Sequence, residues 1–463
     1  MKKNLLLFIT IVASLGGLLF GYDTGIINGT QYYFSQYFEL SAAMKGWVVG
    51  SALLGCLVGA VASGKISTMI GRRNSLILSA ILFFVSSLGS GLPSFLPQSV
   101  ELLVIFRILG GLGIGLASMN APTYISEISP AAIRGKMVSY YQLAVVTGFF
   151  IVFLVTYFIG ESYTIQQNLE YGWRVMFWTE LIPATLFIIG LFMVPKSPRW
   201  LLLKGRTEDG KKVLLELHGK EYADKEYAEI HKDIVRSENS KNKKVNIFQK
   251  GVFAVIVIGT VFSVLQQFTG INAVLYYGAD IFEKALGINK EDVLQQQILL
   301  AAVNFTFTFV AMYTIDKIGR KPLVYIGCVG MALGFLLLGF SLKTGDIGIL
   351  SLIGVLMFIG SFAMSMGPVV WVMLSEMFPN KIRSVAMAIA VAAQWLANYI
   401  VSQSFPIIMD SEVNMSETWN GSLPYFIFTG FIIFTIFFTW KYLPETKGKS
   451  LEDLNETWGI VED

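Results

Sequence analysis

Twelve apolar runs, each long enough to cross a bilayer core of about 30 Å, set the first limit on this chain. Inside a bilayer every backbone N–H and C=O must find its partner without water, so runs of this length read as helices. They fall at 6–28, 46–68, 75–96, 101–123, 137–159, 173–194, 251–278, 296–315, 322–342, 347–373, 385–408 and 424–443, six on either side of a polar stretch. Two short strings recur between the sixes. Gly71-Arg72-Arg73 returns as Gly319-Arg320-Lys321, and the eight residues from Glu127 to Arg134 return as Glu376 to Arg383, displaced by 248 and 249 residues. Two unrelated motifs reporting one period make the chain a tandem duplication, with a repeat far too long for a solenoid. In a membrane protein, two like-oriented halves facing each other across a central pathway are the arrangement of a transporter.

Charge placement gives the expected topology. Charged residues are 14% of the chain against about 25% in a soluble domain, and the net charge of +3 is too small to suggest a nucleic-acid partner. The connections after spans 2, 4, 8 and 10 carry Arg72, Arg73, Arg134, Lys136, Lys317, Arg320, Lys321, Lys381 and Arg383. Those on the other side carry Glu39, Glu161, Glu170, Asp346, Asp410, Glu412 and Glu417. By the positive-inside rule both termini are cytoplasmic. The opening Met1-Lys2-Lys3 is followed by no small-residue cleavage site, so the first run is read as a retained span. The domain division expected is a first six-helix half at 1–194, a cytoplasmic helical linker at 195–250, a second half at 251–443 and a tail at 444–463. The linker holds fourteen of the 35 Lys and Arg residues and both histidines, His218 and His231. Cys56 and Cys328 lie inside apolar runs, which leaves no disulfide framework and no metal spacing.

Five motifs in order carry a resemblance. They are Gly71-Arg72-Arg73; Asp316-Lys317-Ile318-Gly319-Arg320-Lys321; Glu127 to Arg134; Pro195-Lys196-Ser197-Pro198-Arg199; and Pro444-Glu445-Thr446-Lys447-Gly448. With these the chain resembles the sugar porter branch of the major facilitator superfamily over essentially its whole length. The runs Gln266 to Asn272 and Ala392 to Asn398 resemble most the bacterial D-xylose/proton symporters. The resemblance implies an all-α membrane protein of the major facilitator fold, with twelve transmembrane helices in two six-helix halves. It implies proton-coupled import of a monosaccharide, D-xylose or a related aldose, by alternating access, without a cofactor. The expected setting is the bacterial plasma (inner) membrane, with the lipid bilayer as partner and a monomeric chain. Thr68 and Met69 depart from the family pattern of an acid and a base, and Lys196 stands where the pattern has an acid.

An ionisable residue at mid-span costs about 2.5–3.5 kcal/mol on the insertion scale, so it is rarely kept without a partner or a function. Three sit deep: Asp23, Arg107 and Glu180, about five, six and seven residues from the outer ends of spans 1, 4 and 6. These depths agree to within a turn, so the three can meet at one level. A static pair that locks helices is one reading. The other is a proton site, in which a carboxylate paired with Arg107 releases it on protonation. The family's symporters give the matching Asp and Arg this role, whereas its uniporters carry a neutral residue there.

Sugar hydroxyls both donate and accept, which suits side-chain amides, and aromatic faces cover the ring's C–H surface. Spans 7, 8, 10 and 11 supply Gln266, Gln267, Asn272, Tyr277, Asn304, Trp371, Gln394 and Trp395, and span 5 adds Gln142. Gly270 and the pair Gly367-Pro368 interrupt spans 7 and 10 beside them, as broken helices do where they line a cavity. Gly367 shares a helix face with Trp371, and the resemblance adds Phe20 as an aromatic wall. Gly17, Gly21 and Gly25, spaced by four, read as helix packing. The remaining charges, Glu127 and Arg134 with Glu376 and Arg383, together with Gly71, Arg72, Arg73, Asp316, Gly319 and Arg320, form the expected cytoplasmic gate, closed by salt bridges between the halves. Three other classes stand beside proton symport. A sugar uniporter shares the amide site and differs chiefly at Asp23. A sugar sensor would signal through a cytoplasmic extension, where this chain has only 444–463. An intramembrane enzyme would need a nucleophile–base pair or a metal cluster, which no span offers.

Overall fold

The computed structural model describes residues 3–130, 133–220, 222–228, 230, 232, 249–287, 290–378 and 382–447. His231, Lys381, Gly448 and the rest of the tail lie outside the described residues. Among those described, twelve helical segments are long and apolar enough to cross a membrane. They are Asn4–Tyr37, Ala42–Ile70, Arg72–Ser90, Val100–Ile128, Arg134–Ser162, Ile165–Met193, Gly251–Leu286, Leu294–Ile318, Arg320–Thr344, Ile349–Met377, Val385–Met409 and Leu423–Tyr442, numbered here as spans 1 to 12. The end of each span on the side of Gly71, Glu127, Gly319 and Glu376 is called the motif end, and the opposite end the far end.

Span 1 corrects the depth argument. It continues past residue 28 to Tyr37, so Asp23 stands near the middle of its helix and not about five residues from the end. Asn28, Thr30 and Gln31 read as a boundary because polar residues usually end a span, yet each is at most 1% exposed. Their polarity is met inside the protein.

Three spans are broken, each for a local reason. Span 7 consists of Lys250–Phe268 and Ile271–Leu286, joined through Gly270 at φ 89° and ψ 10°, a left-handed conformation that glycine adopts without strain. Span 10 consists of Ile349–Met364 and Met366–Met377, and the break is at Ser365, not at Gly367-Pro368 as the sequence suggested. The reason is that proline acts on the residue four before it. Pro368 has no N–H for the Met364 carbonyl, and its ring crowds that oxygen. Span 6 obeys the same rule: Pro183 stands four after Thr179, and the helices Trp173–Thr179 and Leu181–Met193 meet at Glu180. Pro406 in span 11 likewise deprives the Ser402 carbonyl of its helical donor, and the Tyr277 hydroxyl donates to that oxygen at 2.7 Å.

Packing divides the chain into two compact units that differ from the two sequence halves. One takes the chain up to Asp23, Gly55–Phe149, and Phe177 into the linker. The other takes Thr24–Leu54, Phe150–Met176 and the chain from the start of span 7 onward. Within the first unit, small residues let helices close on each other. A methyl on Gly17 or Gly21 would lie 2.8 or 2.0 Å from the carbonyl oxygens of Tyr141 and Val145, so span 1 lies directly against the backbone of span 5.

Gly270→Ala is expected to cost about 1–3 kcal/mol, because a Cβ there must accept a positive φ and would sit 2.6 Å from the Phe428 ring. Gly64→Ala, with nothing within 4 Å, should leave stability unchanged or slightly raised. Thermal unfolding of the two purified variants checks this. Equal Tm values would mean that the break tolerates a side chain.

Candidate functional site

Of the three deep charges, Asp23 and Arg107 meet. Arg107 Nη1 donates to Asp23 Oδ1 at 2.7 Å, and the two side chains are 3% and 2% exposed. The pair uses one carboxylate oxygen where a bidentate fork would use both. Asp23 Oδ2, Arg107 Nε and both carboxylate oxygens of Glu180 are buried without a hydrogen-bond partner. Glu180 occupies the break in span 6, within electrostatic reach of both partners. The Phe177 ring lies 6.0 Å from the guanidinium, and Tyr22 and Thr179 share a hydrogen bond of 2.7 Å beside Glu180. One guanidinium thus stands among two buried carboxylates and is bonded to one of them. Burying these charges costs several kcal/mol per ion, which a single hydrogen bond repays poorly. The arrangement is better suited to parting than to holding a fold together.

The second cluster is a chain of amides at the breaks of spans 7 and 10. Asn272 Nδ2 donates to Gln267 Oε1, Gln267 Nε2 to Gln266 Oε1 at 3.2 Å, and Gln394 Nε2 to the same oxygen. Gln266 Nε2 donates to the carbonyls of Met366 and Gly367 at 2.8 and 3.4 Å, so one side chain ties the two broken spans together. Gln394 Oε1 is buried and unpaired. Tyr277 is fully buried, bonded to span 11 and stacked on Phe405 with centroids 5.3 Å apart, so it is a support of the cluster and presents no face. Trp395 is buried, Asn272, Asn304 and Gly367 are half-buried, and Trp371 is 39% exposed. In the other unit Gln142 is exposed and Phe20 half-buried. Asn398, quoted but not singled out above, extends the network by donating to Tyr276 Oη at 3.2 Å and accepting from Ser402.

At the motif ends the duplication extends to individual hydrogen bonds. Arg72 Nε donates to Glu127 Oε1 at 3.0 Å and Nη1 to the Ser67 carbonyl at 3.2 Å. Arg320 donates to both oxygens of Glu376 at 3.1 and 2.7 Å and to the Ile315 carbonyl at 3.2 Å. A hydroxyl completes each: Ser197 Oγ donates to Glu127 Oε2, and Thr446 Oγ1 to Glu376 Oε2, both at 2.5 Å. Arg73 donates to the Leu191 and Phe192 carbonyls that end span 6, as Lys321 does to those of Trp440 and Leu443 at the end of span 12. Among the described residues each glutamate is therefore bridged to an arginine of its own half. Arg134 reaches Glu226 of the linker at 3.9 Å, and Arg383 donates to the Phe378 carbonyl. Ser197 and Thr446 were missed as site residues. They stand 249 residues apart, so the period already pointed to them.

A fourth cluster had no sequence signal. At the far ends, Asp280 accepts from Lys45 Nζ at 2.5 Å and Gln31 Nε2 at 3.1 Å. Asn28 donates to Gln297 Oε1 and to the Leu275 carbonyl, both at 2.8 Å, and accepts from the Ala279 N–H at 3.0 Å. Spans 1 and 2 are thus fastened to spans 7 and 8.

Residues 9–458 match the family model described as Sugar (and other) transporter. The D-xylose-proton symporter of Escherichia coli (strain K12) is 44% identical over 97% of this chain and 95% of its own length. The glucose facilitated diffusion protein of Zymomonas mobilis is 36% identical over 99% and 98%. A solved structure of the major facilitator proton:xylose symporter XylE, bound to 6-bromo-6-deoxy-D-glucose, superposes with a TM-score of 0.82 at 43% identity, covering 99% of this chain and all of that one. The chain belongs to the sugar transporter family. It is a multi-pass membrane transporter of the major facilitator fold, not an enzyme.

Within that family pattern the two motif ends are unequal. In the second half Asp316 adds a carboxylate 3.0 Å from Arg320, and Glu445 accepts the backbone N–H groups of Arg320 and Lys321 at 3.1 and 2.9 Å, capping span 9. In the first half Thr68 gives its hydroxyl to its own helix at Gly64, and Lys196 lies over the Trp200 ring. Trp200 fills the place with its indole instead, donating to the Thr68 carbonyl at 3.1 Å and packing on Gly71.

Partial burial alone would raise the Glu445 carboxyl, but the backbone N–H groups of Lys447, Lys321, Arg320 and Thr446 hold it below its ordinary value of 4.5. A carboxyl lowered by folding contributes stability above its unfolded value and loses it as pH falls through the folded one. Glu445→Gln should therefore lower Tm at pH 7. The gap from the parent protein should close as pH falls below about 4.5. A gap that persists unchanged at lower pH would mean that the charge of Glu445 contributes nothing to the cap.

Proposed function

We propose that this chain imports an aldose, D-xylose first, together with one proton by alternating access. The observation that carries the reading is the Asp23–Arg107 pair at 2.7 Å, buried in mid-helix with a second, unpartnered carboxylate beside it. The substrate comes from likeness to a D-xylose-proton symporter over nearly the whole chain. Facilitated diffusion, which the Zymomonas relative performs by its name, is the rival, and Asp23 separates the two.

Asp23, Arg107 and Glu180 are the proton-coupling residues. While ionised, Asp23 holds Arg107 and ties span 1 to span 4. A proton on Asp23 cancels the attraction and frees the guanidinium, with Glu180 at hand as its alternative partner. The sugar contacts are Gln142, Gln266, Gln267, Asn272, Asn304 and Gln394, with Trp371, Trp395 and Phe20 as ring walls and Gly367 giving room. The amide chain suits this because its unpaired Gln394 Oε1 and half-buried Asn272 are already oriented by neighbours, which lowers the entropy cost of binding. The motif ends, rich in Arg and Lys, face the cytoplasm with both termini, and the far ends face outward. There the Asp280 cluster fastens the outer ends of spans 1 and 2 to span 7, and the paired arginines at the motif ends gate the inner mouth. The protein works as a monomer in a bacterial inner membrane.

A proton moving down 100 mV supplies about 2.3 kcal/mol, enough for roughly fifty-fold accumulation of sugar. Asp23→Asn keeps the shape of the side chain and cannot titrate. It should abolish accumulation against a gradient in cells or proteoliposomes while calorimetry still finds D-xylose bound. Continued accumulation would move the coupling elsewhere.

Affinity should fall unequally across the sugar site. Gln142→Ala and Trp371→Ala each remove one contact, worth about 1 kcal/mol or a five-fold loss. Gln266→Ala also leaves Gln267 Nε2 and Gln394 Nε2 without their partner, so its loss should exceed ten-fold. Calorimetric titration with D-xylose reads all three, and parental affinities throughout would place the sugar elsewhere.

A further inference from the structure

We propose that Ser86 and Ser90 relay the proton from the far side to Asp23, through a notch that Gly110 keeps open. The inference rests on the reading of Asp23 as the coupling carboxylate and adds the route by which the proton reaches it.

Hydroxyls in membrane helices usually donate to a carbonyl of their own or a neighbouring helix. Span 3 follows the habit at Ser75, which donates to the Gly71 carbonyl at 2.9 Å, at Ser79, which donates to Gly113 at 2.8 Å, and at Ser87, which donates to Phe177 at 2.6 Å. Ser86 and Ser90 break it. Both are 1% exposed and neither hydroxyl has a partner. They stand four apart on one helix face, and Ser90 is the last residue of the helix, at its far end.

Gly110 of span 4 shows what Ser86 faces. The point where a Cβ on Gly110 would lie is 2.5 Å from Ser86 Oγ and 3.5 Å from Asp23 Oδ1, so hydroxyl and carboxylate line the same notch. Spans 1, 3, 4 and 6 together bring six unpartnered polar atoms to this part of the protein: Asp23 Oδ2, Arg107 Nε, Glu180 Oε1 and Oε2, Ser86 Oγ and Ser90 Oγ. Groups of this kind, buried with no protein partner, are the usual hosts of hydrogen-bonded water. A serine hydroxyl can carry a proton along such a chain because it accepts and donates at once. In the step proposed, the water on the Ser90 side gives a proton to Ser86 and regains one from the far side, while Ser86 gives its own hydroxyl proton, through water in the notch, to Asp23. Ser86 ends as it began, Asp23 gains one proton and its negative charge is cancelled, and Arg107 is released.

The test uses the full chain in proteoliposomes, comparing D-xylose uptake driven by an imposed pH gradient with D-xylose exchange at equal concentrations, which needs no net proton movement. Ser86→Ala should slow gradient-driven uptake about ten-fold and leave exchange within about two-fold. Gly110→Ala should reproduce this, since the new methyl takes the notch and turns the flexible hydroxyl away. Ser86→Thr keeps a hydroxyl and should restore most of the rate. Parental gradient-driven rates in both Ser86→Ala and Gly110→Ala would overturn the relay. So would equal losses of uptake and exchange, which would make the two positions structural. Asp23→Asn serves as the control for the underlying reading: if it keeps gradient-driven uptake, the coupling site is wrong and the relay falls with it.

Discussion

A backbone carbonyl that loses its helical donor inside a bilayer must find another, and in span 11 a side chain of span 7 supplies it. Pro406 frees the Ser402 carbonyl, and the Tyr277 hydroxyl takes it. The Gln266 amide reaches the carbonyls of Met366 and Gly367, next to the break that Pro368 imposes. These contacts are therefore structural before any ligand arrives. They also orient the groups a sugar would meet: with its Nε2 engaged, Gln266 can offer only its oxygen, and that oxygen already fixes Gln267 and Gln394. Breaks and the amide chain coincide where a side chain of one broken span bonds the backbone of the other.

The motif ends show how duplication constrains geometry. An arginine at the start of spans 3 and 9 must satisfy a planar fork of donors, and in both halves it does so with a glutamate from the next span and a carbonyl from the preceding one. The glutamate's remaining capacity goes to a hydroxyl just beyond the sixth span of its half. Four segments are gathered by one charge pair in each half, with the arginine side chain 16% exposed in the first and 11% in the second. The halves part company at the helix cap. Glu445 supplies an anion to the first N–H groups of span 9, where the positive end of the helix dipole favours it. Lys196 brings a cation to the corresponding place near span 3, where the dipole disfavours it, and the indole of Trp200 covers the glycine instead. The first-half cluster is consequently held more by packing, the second more by charge.

These particulars mark how far the sequence could be read. Span number, the duplication and the buried Asp23, Arg107 and Glu180 were legible because hydrophobic length and the cost of a buried charge are local properties of a string. The break at Gly270 was legible for the same reason. The break in span 10 was misplaced because proline acts one turn upstream of where it is written. Asn28, Gln31, Lys45 and Asp280 could not be found, since a polar residue looks like the end of a span until its partner, some 250 positions away, is known to be there. The pairing of Glu127 with Arg72 failed for a related reason. A repeat tells which residues correspond and is silent on which ones touch.

The deepest cluster then has a simple charge logic. Two carboxylates and one guanidinium share a region with almost no access to water, and neither carboxylate can stay ionised there at low cost without the guanidinium beside it. A proton reaching Asp23 cancels its hold on Arg107, and Glu180 is then the carboxylate within reach of the guanidinium. Protonation of Asp23 and the release of Arg107 are, on the proposed reading, one event. That event frees span 1 from span 4 and gives span 4 a partner in span 6. A protein that used this pair only to hold helices together would gain nothing from the second carboxylate, whereas a carrier that must link a proton to a change of helix contacts needs both.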